Sequence, residues 1–501
     1  MFKSLFFLFF LFISSQSILS QSIDRQIQIG LNKIYNFNWD GGFEAFNTVI
    51  KKYPDDPRGY HYKSTIFLWY YLGNLNEAYL DSFSFFSDKS LELAEIRQKK
   101  NPTAEVYYLI GSIYYNKSIA QARNGNYLQA LWTSNQMKSN LEETIKLEPN
   151  YYDAYLGLGL YNFALSQIPS TLEWAANLVG INADKELGLS YVKLTAKKGK
   201  VSKIDAQYYL SQLLSRVIVD HPTAKEILKN LVKRYPKNLL FNFSLAWVEY
   251  QLTELSNSEK HLRKILNSND ELYPFVVSNS NYILGNIFYD KNQFDSAIVY
   301  YKNFLTTAVN NDYKGFINYR IALCMELSGN RDDAIKFYEK SSEGNTDIEE
   351  DLFAERRGND LVDRELTESE IKLVLSLNLF KQNKLGDAKD SLKNYIQQPK
   401  LTNNLRAEAK LYLAEICYRQ KKYQEALDNT VDCLNIEIEN EKWIHAYAYY
   451  YGALISFQQK KFSEAKLFLN QIEELSEYDF RNSLDNKIYT VKRLLPLENN
   501  K

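Results

Sequence analysis

The stretch that most constrains this chain runs from Asn281 to Phe304, NYILGNIFYDKNQFDSAIVYYKNF. Leu284, Gly285 and Phe288 share one face of a first helix, and Ala297, Tyr301 and Phe304 share one face of a second, because residues three and four apart are helical neighbours. Asp290 to Phe294 supplies a short polar turn between them. The small Gly285 and Ala297 let the two helices approach, and the large residues fill the space around them. The pattern recurs in Leu245, Ala246, Ser258, Leu262 and Ile265, and again in Ile321, Ala322, Ala334 and Tyr338. It returns in Leu375, Ser376, Ala388 and Leu392, in Leu413, Ala414, Ala426 and Thr430, and in Gly452, Ala453, Ala465 and Leu469. Such units pack only against their neighbours, so the chain escapes the size limit of a single core.

This unit resembles the tetratricopeptide repeat (TPR), a helix–turn–helix of about 34 residues with small and aromatic residues at these offsets. The resemblance implies an all-α fold, a right-handed α-solenoid of TPR-like helix–turn–helix repeats. Only 10 prolines and 19 glycines among 501 residues suit helices joined by short turns. The pattern divides the chain into a signal peptide (1–20), an irregular N-terminal TPR-like region (21–202), a TPR array (203–342), an acidic linker or irregular insertion (343–369), and a C-terminal array with a capping helix (370–495). In the insertion, Leu352, Phe353, Leu361 and Leu366 could dock on the solenoid, and Thr367 to Glu370 carries a helix-capping signature.

The first twenty residues, MFKSLFFLFFLFISSQSILS, have one Lys, an apolar run and a small polar end. That is the layout of a secretory signal peptide cleaved after Ser20, with an uncleaved N-terminal anchor as the alternative. The run is short of the roughly 20 residues a membrane span needs, and no later segment is long and apolar enough, so no integral span is expected in the mature chain. Ile23 to Pro57 reads as a degenerate repeat. Longer pairs follow at Tyr60–Leu72 with Asn76–Lys99, and at Ala104–Arg123 with Tyr127–Leu147.

Asp153 to Lys200 departs most from the simple repeat: a helix with Gly157 and Gly159, a break at Ile168-Pro169, an apolar run from Leu172 to Val179, and a helix from about Lys185. Its phrase LVGINADKELGLSYVKLTAKKG resembles the "GF-GDR-GL--L" segment of the tetratricopeptide-39 and inclusion-body-clearance family, over roughly Asp153 to Leu214. Ile181-Asn182 stands in place of the family's aromatic, and Lys185 in place of its arginine, so no functional residue carries over. The paired glycines follow no strand and precede no Lys-Ser/Thr, which makes close helix packing the reading rather than a phosphate loop.

Residues of catalytic type form no pattern. The four histidines (His61, His221, His261, His445) are scattered, with no i,i+4 zinc pair. There is no nucleophile elbow and no Walker loop; no metal, no cofactor and no catalytic residue is expected. Cys324, Cys417 and Cys433 lack metal spacing; Cys417 and Cys433 fall on facing helices of one repeat, so they are either a disulfide pair or buried apolar residues. Asn116 and Asn242 lie in glycosylation triplets inside expected helices. With 60 Lys+Arg against 61 Asp+Glu, no basic excess points to nucleic acid.

The 39 tyrosines are the functional clue. The repeat resemblance implies that positions 5 and 12 of each first helix face the concave side. Those positions include Phe243 and Tyr250, Tyr282 and Tyr289, Tyr319, Tyr418, Tyr450 and Phe457, and with Trp247 they would form an aromatic groove for a protein or peptide segment. Aromatic rings give large contact area at low entropic cost; the alternative is that many of them pack between first helices. The expected function is an exported, non-catalytic scaffold in the periplasm or at the cell surface. The alternative is a cell-envelope enzyme, or an enzyme subunit, acting on glycan or peptide.

Overall fold

The computed structural model describes residues 22–165, 184–268 and 270–495. The signal-peptide reading, the Ile168-Pro169 break and the apolar run 172–179 lie outside the described residues. Among the described residues every regular element is helical, and successive helices pair into hairpins, the right-handed α-solenoid arrangement. The chain divides into two compact units. Unit 1 comprises residues up to Leu213 with Glu226–Asn242 and Glu271–Tyr273; unit 2 comprises Leu214–Lys225, Phe243–Asp270 and Pro274–Lys501.

One turn, reused throughout, makes the hairpins. In the opening repeat the first helix, Pro274–Asp290, ends with Asn292 in the left-handed region (φ 58°). The Gln293 N–H then bonds back to the Phe288 carbonyl at 2.9 Å. This six-residue ring with a left-handed residue before its donor is the Schellman cap, which satisfies carbonyls the helix end leaves open. Asn383, Lys421 and Lys460 occupy the same place, with Lys384, Lys422 and Lys461 donating to Leu379, Cys417 and Ser456. Gly329 fills it ahead of Arg331–Tyr338 at φ 81°. The second helix, Phe294–Thr307, then folds back and buries Ala297, Tyr301 and Phe304.

The small residues do what the pattern requires. A Cβ on Gly285 would overlap the ring of Tyr301, and one on Gly452 would come within 2.7 Å of Cδ1 and Cε1 of Phe468. In unit 1 the helices Ala154–Leu165 and Lys185–Lys198 cross where Gly159 and Gly188 meet: a Cβ on either would stand 2.7–2.8 Å from the other's carbonyl oxygen. A Cβ on Gly157 would overlap the Leu141 side chain, so Gly157 and Gly159 are both packing residues.

The acidic segment is ordered by one carboxylate. After a 3-10 turn (Glu339–Glu343), the helix Glu349–Asp363 docks on the array with Ala354 and Leu361 fully buried. Asp351, 3% exposed, accepts the backbone N–H groups of Tyr313, Phe316 and Asn345 at 2.8–2.9 Å. Leu366 is buried and Phe353 half-buried, whereas Leu352 is exposed. Thr367 and Glu370 then form a complete capping box for the helix Glu368–Lys381. The three cysteines are buried free thiols. Asn116 and Asn242 are buried as well. The last helix, Arg481–Leu494, caps the array by burying Leu484, Ile488 and Val491 against Ala446, Ala453 and Leu469.

Candidate functional site

None of the nine aromatic positions expected in the groove is freely exposed. Phe243, Tyr289 and Tyr319 are buried at 8%, 4% and 7% exposure, so their rings belong to the packing between helices. Trp247, Tyr250, Tyr282, Tyr418, Tyr450 and Phe457 are half-buried. Trp247 carries the Arg216 guanidinium 4.9 Å above its ring. Tyr282 stacks on Tyr313 at 5.4 Å, Tyr319 meets Phe353 of the docked insertion edge-on, and Phe457 pairs with Phe462 of its own repeat.

Two clusters gather the others. In the first, the Tyr250 hydroxyl donates to Asp290 at 3.1 Å, and Arg320 lies 4.4 Å over Tyr289. Burial pushes the Asp290 carboxyl up to about 6, against the pull of Lys381 and Arg320. The first helices meet here directly: Asn378 donates to the Tyr289 carbonyl at 3.0 Å and Gln382 to that of Asp290 at 2.7 Å. In the second cluster, Tyr418 and Tyr450 flank Tyr451, and Lys487 of the capping helix sits 4.7 Å over Tyr447 and 5.9 Å over Tyr450. Glu415 bonds Arg419 at 2.7 Å. Burial pushes its carboxyl up, but Arg419, Lys381 and Lys487 together hold it below its ordinary value. Lys487 itself is pushed down by burial, with Lys381 and Arg419 adding to the effect.

The charged members were missed in the sequence, although a signal exists. Arg320, Lys381 and Arg419 each directly follow an aromatic of the expected ladder or its equivalent (Tyr319, Phe380, Tyr418). One residue past the ring the helix has turned by about 100°, and the long cation reaches an aromatic of an earlier first helix: Arg320 lies over Tyr289 and Arg419 over Phe380.

Unit 2 also holds a cavity of about 450 Å3 behind the docked insertion, walled by Tyr319, Phe353, Trp443, Arg357, Glu408 and Glu441. Arg356 clamps Glu441 through two bonds of 2.9 and 3.0 Å, and the Trp443 indole N–H donates to the same carboxylate. Burial, with Glu441 adding, pushes the Glu408 carboxyl up to about 7.

Unit 1 holds a smaller and more enclosed cavity, about 110 Å3, against Asp205, Asp153, His61 and the rings of Tyr35, Tyr62 and Tyr108. The Tyr35 hydroxyl donates to Asp205 at 2.6 Å. Asp153 instead accepts the backbone N–H groups of Lys200, Val201 and Ser202 at 2.8–3.2 Å. Burial pushes Asp205 up to about 6 and His61 down to about 4.

No curated protein matches the chain significantly. Solved structures that resemble it include a tetratricopeptide repeat protein from Parabacteroides merdae, 12% identical, covering 58% of this chain and 99% of its own, with a TM-score of 0.26. Yeast Tom70 is 12% identical, covering 95% and 96%, with a TM-score of 0.27. The P58(IPK) TPR domain is 14% identical, covering 77% and 100%, with a TM-score of 0.22. Residues 373–429 match the tetratricopeptide repeat family TPR_16. Residues 91–343, just over half of the chain, match Iml2/Tetratricopeptide repeat protein 39, and the chain belongs to that family.

Proposed function

We propose that the protein is an exported, non-catalytic scaffold that holds a carboxylate-bearing protein segment against the first helices of unit 2. The observation that carries this reading is the gathering of Lys381, Arg419 and Lys487 around the single carboxylate of Glu415, beside the half-buried Tyr418 and Tyr450. Lys381 also acts on Asp290 together with Arg320, so four cations face two acids and leave a local positive excess, and aromatic walls add contact area at low entropic cost. Repeat arrays of this kind present extended inner surfaces to partner chains. Trp247, Tyr250, Tyr282 and Phe457 extend the same surface, whereas Phe243, Tyr289 and Tyr319 support it from beneath. The apolar leader 1–20 supports export to the periplasm or cell surface, and among the described residues no helix is long and apolar enough to cross a membrane.

The test is photo-crosslinking from position 458, exposed beside Tyr418, in the mature chain, residues 21–501, with identification of the attached segment. The adduct should form on an acidic segment, fall with rising salt, and be lost in a Lys381→Glu/Arg419→Glu double variant that keeps its helical signal. An adduct unaffected by charge reversal refutes the reading. Fractionation of the producing cells decides export independently.

A further inference from the structure

We propose that the unit 1 cavity is a binding site for a small organic ammonium ion, held by Asp205 within a cage of tyrosine rings. Its volume of about 110 Å3 stands somewhat below the roughly 150 Å3 of an engineered cavity that takes up benzene, which suits a ligand of about four to six heavy atoms. Its walls include two carboxylates and several aromatic rings, with no Lys or Arg among them. The two acids are not equivalent. Asp153 is held by three backbone N–H groups, whereas Asp205 is met by one tyrosine hydroxyl and is further disfavoured as an anion by Asp153. Two carboxylates lining one cavity with no Lys or Arg in its walls form a site of negative potential, and a bound cation relieves it.

His61 supplies a second, independent pointer. It is 5% exposed, lines the same cavity, and its Nδ1 has no hydrogen-bond partner. Burial keeps the ring neutral at ordinary pH, and in the tautomer that carries its proton on Nε2 the bare Nδ1 accepts from a ligand donor, such as an ammonium N–H or a hydroxyl. Among the described residues no three His, Cys, Asp or Glu side chains converge as metal ligands. Tyrosine faces around a carboxylate are instead the surroundings in which ammonium groups are recognised, through cation–π attraction with the acid as counter-charge.

The experiment uses the mature full chain in calorimetric titration and thermal shift with ethanolammonium and tetramethylammonium chloride. Tert-butanol serves as the neutral control of similar shape, and NaCl and KCl as inorganic controls at equal ionic strength. At least one ammonium ion should bind about tenfold or more tightly than tert-butanol, and Asp205→Asn should lose that advantage, as expected when a desolvated charge partner is removed. Should the variant fail to fold, the wild type decides by pH. Facing Asp205 are Tyr35, Tyr108, Tyr115, Tyr209, Tyr235 and Asp153. The tyrosines are all raised above their ordinary value, so ammonium affinity should fall as pH drops through about 6, where Asp205 takes a proton. Binding equal to that of tert-butanol, equal response to Na+ or K+, affinity unchanged between pH 7.5 and 5, or no ammonium binding at all overturns the proposal. A Lys381→Glu/Arg419→Glu variant should keep this binding, which separates the two readings.

Discussion

Gly285→Ala puts the packing argument at risk in one atom. The added Cβ falls on the ring of Tyr301, which is 0% exposed and donates its hydroxyl to Asn286 at 2.7 Å. The ring cannot swing out without breaking that bond and moving buried neighbours, so the overpacking cost belongs near the top of the usual range, about 3 kcal/mol. Alanine's preference over glycine in a helix returns about 1 kcal/mol, leaving a net loss of about 2 kcal/mol. Gly386 provides the control. It lies in the helix Leu385–Tyr395, and a Cβ added there would meet nothing within 4 Å, so Gly386→Ala should stabilise by about 0.5–1 kcal/mol. Gly452→Ala falls between, because Phe468 is only half-buried and can yield. A long array need not unfold in one step, so urea titration should be paired with hydrogen exchange read over residues 274–307. Gly285→Ala proving as stable as Gly386→Ala, in the titration and in local exchange, refutes the reasoning.

Lys421→Gly and Lys460→Gly relieve side chains held at φ 60° and should each stabilise by about 0.5–1 kcal/mol in thermal or urea unfolding. Thr367→Ala removes the hydroxyl half of the capping box and should cost about 1 kcal/mol by the same assay. Glu370 is half-buried, which raises its carboxyl, yet Arg364 and the Thr367 N–H hold it down to about 2. Its contribution is present above the ordinary 4.5 and should be lost as pH falls from there toward 2, a loss that Glu370→Gln should remove from the pH profile. Glu408 works in the opposite sense. Its folded value near 7 exceeds the ordinary 4.5, so the folded chain binds the extra proton and wild-type stability should decline as pH rises from about 4.5 to 7. Glu408→Gln should flatten that decline and be the more stable protein at about pH 8; parallel profiles would show that the group does not titrate as described.

Much of the architecture was legible because its causes are local. Gly285 and Tyr301 lie on two helices joined by one turn, and Thr367 and Glu370 lie within one helical turn, so spacing alone specified their meeting. The reuse of one Schellman turn follows from the same fact, since each hairpin must reverse over a few residues. The expected aromatic ladder was legible as a set of positions but not as a surface. Whether a first-helix ring faces solvent depends on how closely successive first helices coil together, and Asn378 reaching the Tyr289 carbonyl closes that gap over 89 residues.

Local patterning by itself determined the helices, their pairing and the residues that let them touch, because periodicity and turn chemistry act within a few residues. The tertiary structure alone decided which charges are enclosed. Asp205 meets Tyr35 across 170 positions, Asp351 gathers N–H groups from a preceding repeat, and Lys487 reaches tyrosines of an earlier helix. Desolvation depends on everything packed around a group, so only the folded chain separates a solvated acid from one held near neutrality.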